Sequence, residues 1–325
     1  MKWNLLSRRI LDGASLERQE ALAVLESDDN ELLAVLDAAF AVRRRYFGRD
    51  VSLHVIRNAK SGSCSENCSY CSQSAFSKSE ISGYPMQSVE ELIEGARKAH
   101  EMSAKRYCIV TSGRGPSKRD LDQVCAAVIK IKSEIPIQIC TSLGLLSEEQ
   151  ARQLRGAGVD RYNHNLESSE RFYPFFCTSH SYSDRVATAG IARAAGMELC
   201  SGGLVGMGET LDDRVDLAFA LRELGADSIP VNFLNPRPGT PLEGRPRLTP
   251  GDCLRTLAMF RLVHPEKEIR VAGGRESCIG HMQALSLYAA NSLFTTGYLT
   301  TPGQGYDEDM DMIAQAGFNV TEYIE

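Results

Sequence analysis

The stretch KRYCIVTSGRGPSKRDLDQVCAAVIKIKSEIPIQICTS, residues 105–142, decides the fold. It opens on a β-rich run, KRYCIVTS (105–112), passes through a helical pattern carrying Cys125, and returns to a second β-rich run, IPIQICTS (135–142). A strand, a helix of this length and another strand make one turn of a parallel sheet. The same alternation extends outward in both directions. SLHVIRN (52–58) precedes it, and VDRYNHNLE (159–167), MELCSGGLV (197–205), DSIPVNFL (227–234), EIRVAGG (268–274) and NSLFTTG (291–297) follow. Helix starts between them are readable, because Ser88 with Glu91, Ser147 with Gln150 and Thr210 with Asp213 fit the capping box. GAG (156–158) and LGAD (224–227) read as helix stops. Eight strand–helix units over roughly 270 residues have the size of a (β/α)8 barrel. An open doubly wound sheet is the alternative, and the uniform repeat favours the barrel. The fold class expected is therefore α/β, a TIM-type barrel over residues 51–325. Residues 1–50 read as an extension of amphipathic helices packed outside it, at one end.

Composition narrows the class. The chain has 325 residues, 43% of them hydrophobic, and a net charge of −6. That charge gives no electrostatic reason to expect nucleic acid or an anionic membrane. No apolar run approaches membrane-spanning length, and the first twenty residues lack the apolar core of a secretory signal. A cytoplasmic protein is expected. Ten cysteines in that setting are not disulfides, since cytosolic thiols are kept reduced. They divide into buried small hydrophobes and metal ligands.

Three of them stand in SGSCSENCSYCSQ (61–73): Cys64, Cys68 and Cys71, spaced C-x3-C-x2-C just after the first strand. The intervening residues are polar, so core packing does not explain them. A closed zinc site asks for a fourth ligand, and no nearby His or Cys supplies it. A [4Fe–4S] cluster on three thiolates leaves one iron free. Three more cysteines fall within strands: Cys108, Cys140 and Cys200, with Arg270 on the seventh strand. One thiol in an apolar strand is ordinary core. Three together, beside a guanidinium that would be costly to bury unpaired, call for an anion or a metal in the barrel.

The triplet, with an aromatic before its last cysteine, resembles the radical S-adenosylmethionine (SAM) signature. Taken with RYCIV (106–110), RYNHNLESS (161–169), CSGGLVGMGET (200–210), IPVNFL (229–234) and GGRE (273–276), the order resembles the biotin synthases over about residues 40–320. The resemblance implies SAM chelated to the open iron of a [4Fe–4S] cluster on Cys64, Cys68 and Cys71, and dethiobiotin as substrate. It also implies an auxiliary cluster on Cys108, Cys140, Cys200 and Arg270 that supplies the sulfur, in the [2Fe–2S] form. A flavodoxin- or ferredoxin-like electron donor and a homodimer follow from it as well. Tyr70 would pack near adenine, Glu167 would reach a ribose hydroxyl, Arg185 would face the SAM carboxylate, and Gly206 lies in a segment on the SAM side. For Tyr70 plain loop packing is the other reading, and for Arg185 an exposed helix charge. Asn163 and Asn165 share one strand face, and with Asn232 their amides match the donors and acceptor of a ureido ring. Thr300, Thr301 and Pro302 could offer backbone donors to the valerate carboxylate.

Cys177, in FFCTSHSY, follows the fourth strand. It is read as a further ligand of the auxiliary cluster, which would then be a larger, four-iron one; a buried thiol is the alternative. Cys278 reads as buried, as do Cys125 and Cys253 in helices. The competing classes are another radical SAM enzyme, such as a hydrogenase maturase or methylornithine synthase, and a non-catalytic iron–sulfur scaffold.

Overall fold

A computed structural model describes residues 2–300 and 303–321. The strands are β1 (Asp50–Lys60), β2 (Arg106–Thr111), β3 (Gln138–Ser142), β4 (Arg161–Asn163), β5 (Glu198–Cys200), β6 (Gly203–Val205), β7 (Ser228–Phe233), β8 (Glu268–Val271), β9 (Ser292–Thr295) and β10 (Asn319–Val320). All neighbours pair in parallel, and β1 pairs with both β2 and β9, so the sheet closes into the expected (β/α)8 barrel. Side chains alternate across each strand. One set, including Leu53, Val55, Tyr107, Ile109, Ile139, Leu199, Val231 and Val271, is buried in two apolar cores formed with the surrounding helices. The other set faces the barrel axis and carries the polar residues and thiols.

The helix starts read from the sequence are formed. Ser88, Ser147 and Thr210 each accept a hydrogen bond from the backbone N–H three residues on, and the partner side chain returns the bond. Gly158 ends its helix in the left-handed conformation, φ 104°, where a Cβ would be strained. The fifth run differs from a single strand. It breaks at Ser201–Gly202; β6 pairs with β7 and, at Gly203, forms a single parallel bridge to Glu167. The cause is a close approach: a Cβ at Gly202 would sit 1.9 Å from the Pro230 carbonyl oxygen, and the Gly202 N–H donates to the Asn165 side chain instead of a neighbouring strand. β10 was not expected; it extends the amino end of β1 through Asp50 and Val51.

Residues 2–47 form helices Lys2–Leu11, Arg18–Leu25 and Leu32–Phe47. The second packs on the barrel helices Leu211–Glu223 and Pro250–Val263, the third on Pro250–Val263, and the first on the third. Arg43, buried, donates to the carbonyls of Ala290 (3.2 Å) and Asp50 (2.7 Å), which ties the third helix to the amino-terminal ends of β9 and β1. No described helix is long and apolar enough to cross a membrane. Thr301 and Pro302 lie outside the described residues.

Candidate active site

The inward residues form a polar floor and a thiol layer above it. Strand alternation puts Arg106 beneath Cys108, Arg161 beneath Asn163, Glu198 beneath Cys200 and Glu268 beneath Arg270. Register then sets Cys108 beside Cys140 and Asn163 beside Cys200. Cys108, Cys140 and Cys200 make one buried cluster, edged by Ile56 and Phe294. Asn163 Nδ2 lies 3.2 Å from Cys200 Sγ, and Arg270 Nη1 3.7 Å from it.

Arg270 is not the unpaired guanidinium that the sequence suggested. Glu268, two residues earlier on the same strand face, pairs with its Nη2 and also accepts from Ser228 Oγ at 2.7 Å. The same carboxylate meets Arg161 at 3.2 Å, Arg106 at 3.4 Å and His54 at 3.4 Å. Burial alone would raise the Glu268 pKa, but Arg161, His54 and Arg270 hold it well below the usual carboxylate range. Charge balance therefore does not by itself demand a metal here. What does point to a missing group is geometric: Arg270 Nε is buried with no hydrogen-bond partner, beside three thiols without a bonded partner. Buried polar atoms are normally satisfied, so this floor suits a bound inorganic group.

The triplet loop lies above. Cys64, Cys68, Cys71, Cys108, Cys140 and Arg270 all line one cavity of about 320 Å³, so both sets of thiols open into the same space. Burial pushes the Cys71 thiol up, to about 11. Tyr70 packs against Phe176, ring centroids 5.8 Å apart. Glu167 holds a left-handed backbone, φ 70°, which is strained for a residue with a Cβ and is a mark of functional positions. Arg185 is not an exposed helix charge: it is buried, donates to the Asn165 carbonyl at 2.8 Å and to Tyr173 Oη, and lies 3.9 Å from Glu167. Tyr70, Glu167 and Arg185 all line the cavity.

Asn163, Asn165 and Asn232 are on the cavity wall too, with partners already in place. Asn163 Nδ2 donates to Asn165 Oδ1 at 3.3 Å. Asn232 donates to the Gly203 carbonyl (3.1 Å) and accepts from Gly273 N–H (2.9 Å), so it fastens β6 to β7 and to the loop after β8. Two placements depart from the sequence reading. Gly206 is off the cavity wall, and its N–H is taken at 2.7 Å by Glu209, whose carboxylate also binds the amides of Met207 and Gly208. Cys177 is not with the strand thiols: its Sγ lies 3.7 Å from Cys68 Sγ, in a separate buried cluster with Tyr173 and Phe176. The four-iron reading of the auxiliary cluster thereby loses its fourth thiolate. Cys278 is buried with Sγ 3.3 Å from the Leu234 carbonyl, and Cys125 and Cys253 are buried in helices.

A clamp unseen in the sequence explains the position of Cys177. Asn67 Oδ1 accepts from the amides of Thr178 (3.0 Å) and Ser179 (3.1 Å), and Asn67 Nδ2 donates to Thr178 Oγ1 at 2.6 Å. Glu66, buried, accepts from Ser179 Oγ at 2.7 Å and pairs with His180 Nδ1. These bonds fasten the segment after β4 onto the triplet loop. Glu66 and Asn67 stand between the triplet cysteines, where they read as polar filler.

The Radical SAM superfamily profile matches residues 60–221, and the profile described as Biotin and Thiamin Synthesis associated domain matches residues 230–319. The second begins at β7, so the two profiles divide the barrel between them. Biotin synthase of Salinibacter ruber is 55% identical over 97% of this chain and 88% of its own length. Biotin synthase of Bacillus subtilis is 51% identical, covering 98% of this chain and 95% of the relative. Among solved structures, methylornithine synthase superposes with a TM-score of 0.86 over 97% of each chain at 20% identity. The hydrogenase maturase HydG from Carboxydothermus hydrogenoformans gives 0.83 at 18% identity, over 99% of this chain and 80% of its own. These two share the fold; the sequence identity separates the chain from them. With a closed parallel barrel, a three-cysteine loop at its mouth and more than half its residues shared with one relative along nearly its whole length, the chain belongs to the biotin synthase family of radical SAM enzymes.

Proposed function

We propose that this enzyme inserts sulfur into dethiobiotin to form biotin. The observation that carries the proposal is the single cavity into which two separate thiol sets open, Cys64, Cys68 and Cys71 above and Cys108 and Cys140 with Arg270 below. In this reading the upper set holds a [4Fe–4S] cluster with one iron left for SAM. The lower set, with Cys200, holds an auxiliary cluster, and four ligands suit its two-iron form. When bound, the SAM-loaded cluster supplies a radical that takes hydrogen from an unactivated carbon, and the auxiliary cluster supplies sulfur.

The chain's own residues do the rest. Arg185, already held by Tyr173 and the Asn165 carbonyl, would offer its remaining N–H groups to the SAM carboxylate. Tyr70 gives an apolar wall for adenine, braced by Phe176. Glu167, facing Arg185 at 3.9 Å, would accept from a ribose hydroxyl. Asn163 and Asn165 present amide groups between the two thiol sets, where a ureido ring would be bound, and Asn232 has one Nδ2 hydrogen free for it. A flavodoxin- or ferredoxin-like protein as electron donor, a homodimer and a cytoplasmic location complete the proposal, on family resemblance.

The test is anaerobic incubation with SAM, dithionite and dethiobiotin. Biotin and 5′-deoxyadenosine together are expected. 5′-Deoxyadenosine without biotin would make the chain a radical SAM enzyme of another substrate, and neither product would overturn the reading.

A further inference from the structure

Cys177 has no role in the reaction as derived above, yet the fold spends a clamp on placing it. Among the described residues only Cys68, Cys177 and His180 bring three metal-ligating atoms within 4.8 Å of one another. The Sγ atoms of Cys68 and Cys177 are 3.7 Å apart, and Cys177 Sγ is 3.4 Å from His180 Nδ1 and 3.8 Å from Nε2. Two thiolates on one tetrahedral ion, each about 2.3 Å from it, stand about 3.8 Å apart, and a thiolate and an imidazole nitrogen at about 2.05 Å stand about 3.6 Å apart. The spacing fits one ion. Thiolates on different irons of a cluster stand wider, because the irons are themselves separated.

The surroundings are those of an ion site as well. A histidine that binds metal through one nitrogen usually gives its other N–H to a carboxylate, which fixes the ring. Here Nδ1 faces Glu66, which leaves Nε2, 3.8 Å from Cys177 Sγ, as the nitrogen turned to the ion. Glu66 is itself held by Ser179 Oγ and approached by Arg114 at 3.5 Å. Asn67 locks the two loops to each other, so Cys68 and Cys177 stay in register without a bound ion. All three ligands are buried, and two sulfurs with one nitrogen select soft or borderline cations over calcium or magnesium.

We infer that the cluster-free chain binds one thiophilic divalent ion, of the Zn2+, Co2+ or Fe2+ class, at Cys68, Cys177 and His180. The fourth position of the tetrahedron is left to water. Cys68 is also one of the three cysteines read above as cluster ligands. Single-ion binding and cluster assembly therefore compete for one thiolate. That competition rests on the proposed cluster assignment; the binding itself does not.

The experiment uses the full-length chain purified free of clusters and titrated anaerobically with Co2+ as the probe. One Co2+ per chain is expected, with the visible bands of a tetrahedral sulfur-ligated ion and an X-ray absorption fit of two sulfurs and one nitrogen. Cys177→Ser and His180→Gln should each weaken binding tenfold or more, while Cys64→Ala leaves it within twofold. Loss of binding in Cys64→Ala with none in Cys177→Ser would place the ion on the triplet and overturn the inference. So would a wild-type X-ray fit lacking nitrogen or showing three sulfurs, which holds even if a variant fails to fold. In a second arm, one equivalent of Zn2+ added before reconstitution should at least halve the SAM-cluster content of the wild-type chain and leave that of Cys177→Ser unchanged. Equal cluster content with and without zinc would remove the competition. Absence of 5′-deoxyadenosine from the loaded enzyme, by contrast, would bear on the cluster assignment and leave the Co2+ result standing.

Discussion

Replacing Glu268 by Gln removes a carboxylate on which Arg106, Arg161, Arg270 and His54 converge. The carboxylate serves three buried guanidinium groups, but they do not depend on it equally. Arg161 also has Glu198, 2.7 Å from its Nη2, and Arg106 has Glu198 at 3.2 Å. Arg270 has no second carboxylate within ion-pair distance among the described residues; its remaining partners at Nη2 are the neutral groups Ser228 Oγ, at 2.9 Å, and His54 Nε2, at 3.4 Å. The substitution thus leaves one fully buried cation without a counter-charge. Breaking a buried pair in this way costs about 3–5 kcal/mol. A domain of 150–250 residues loses about 2–4 °C of Tm per kcal/mol, and a longer chain somewhat less, so a fall of about 5–15 °C is expected. The assay is thermal unfolding of the cluster-free chain, followed by circular dichroism. Glu198→Gln is the control, because the Glu198 side chain is 50% exposed and a pair open to water contributes about 1 kcal/mol or less. A Glu268→Gln loss under about 2 °C, or equal losses in the two variants, would refute the account of the floor.

Three further outcomes follow from the same structure. Cys68→Ala should abolish 5′-deoxyadenosine formation, whereas Cys200→Ala should retain some and yield no biotin; biotin from Cys200→Ala at the wild-type rate would remove the auxiliary sulfur donor from that site. Asn165→Ala should weaken dethiobiotin binding about 5- to 150-fold, the value of one unmatched polar group at roughly 1–3 kcal/mol, measured by calorimetry on the loaded enzyme; Asn232→Ala should in addition lower Tm, since its amide fastens Gly203 and Gly273, and unchanged binding in both would displace the substrate from this wall. His264 is buried against Phe260, and burial pulls its pKa down to about 3, against about 6.5 in the unfolded chain. Below about pH 6.5 the unfolded chain therefore takes up a proton that the native one refuses, and stability present above that pH is lost as pH falls toward about 3. His264→Phe should flatten the decline of Tm between pH 6.5 and 5, and parallel slopes would contradict this.

The strand–helix period and the capping boxes were enough to draw the barrel, because both are local patterns. The break at Gly202 was not readable, since it depends on the Pro230 carbonyl of a neighbouring strand. For the site, the thiols and Arg270 were legible from residue type, but the partner of Arg270 was overlooked although it stands two positions away in EIRV. Alternation alone puts Glu268 on the same face, as it puts Arg106 under Cys108 and Glu198 under Cys200. Cys177 departs from its expected place for a different reason. Its place following β4 is legible in the sequence, but which cysteines it meets is decided by Asn67, and nothing local to either segment announces that contact. The segment around Gly206 resembles a glycine-containing one on the SAM side, while Glu209, three residues on, fills the Gly206 amide.

The closure of β1 against β9 sets an order of events during synthesis. Roughly 240 residues separate Ser52 from its partner Ser292, and a ribosome adding about 5–20 residues per second needs about 12–48 s to make them. Cys108, Cys140 and Cys200 leave the ribosome well inside that interval, while the nascent sheet is still an open trough. Until the final seam forms, they are reachable along the flank of the sheet. Afterwards iron and sulfide reach them through the cavity that the triplet loop also lines.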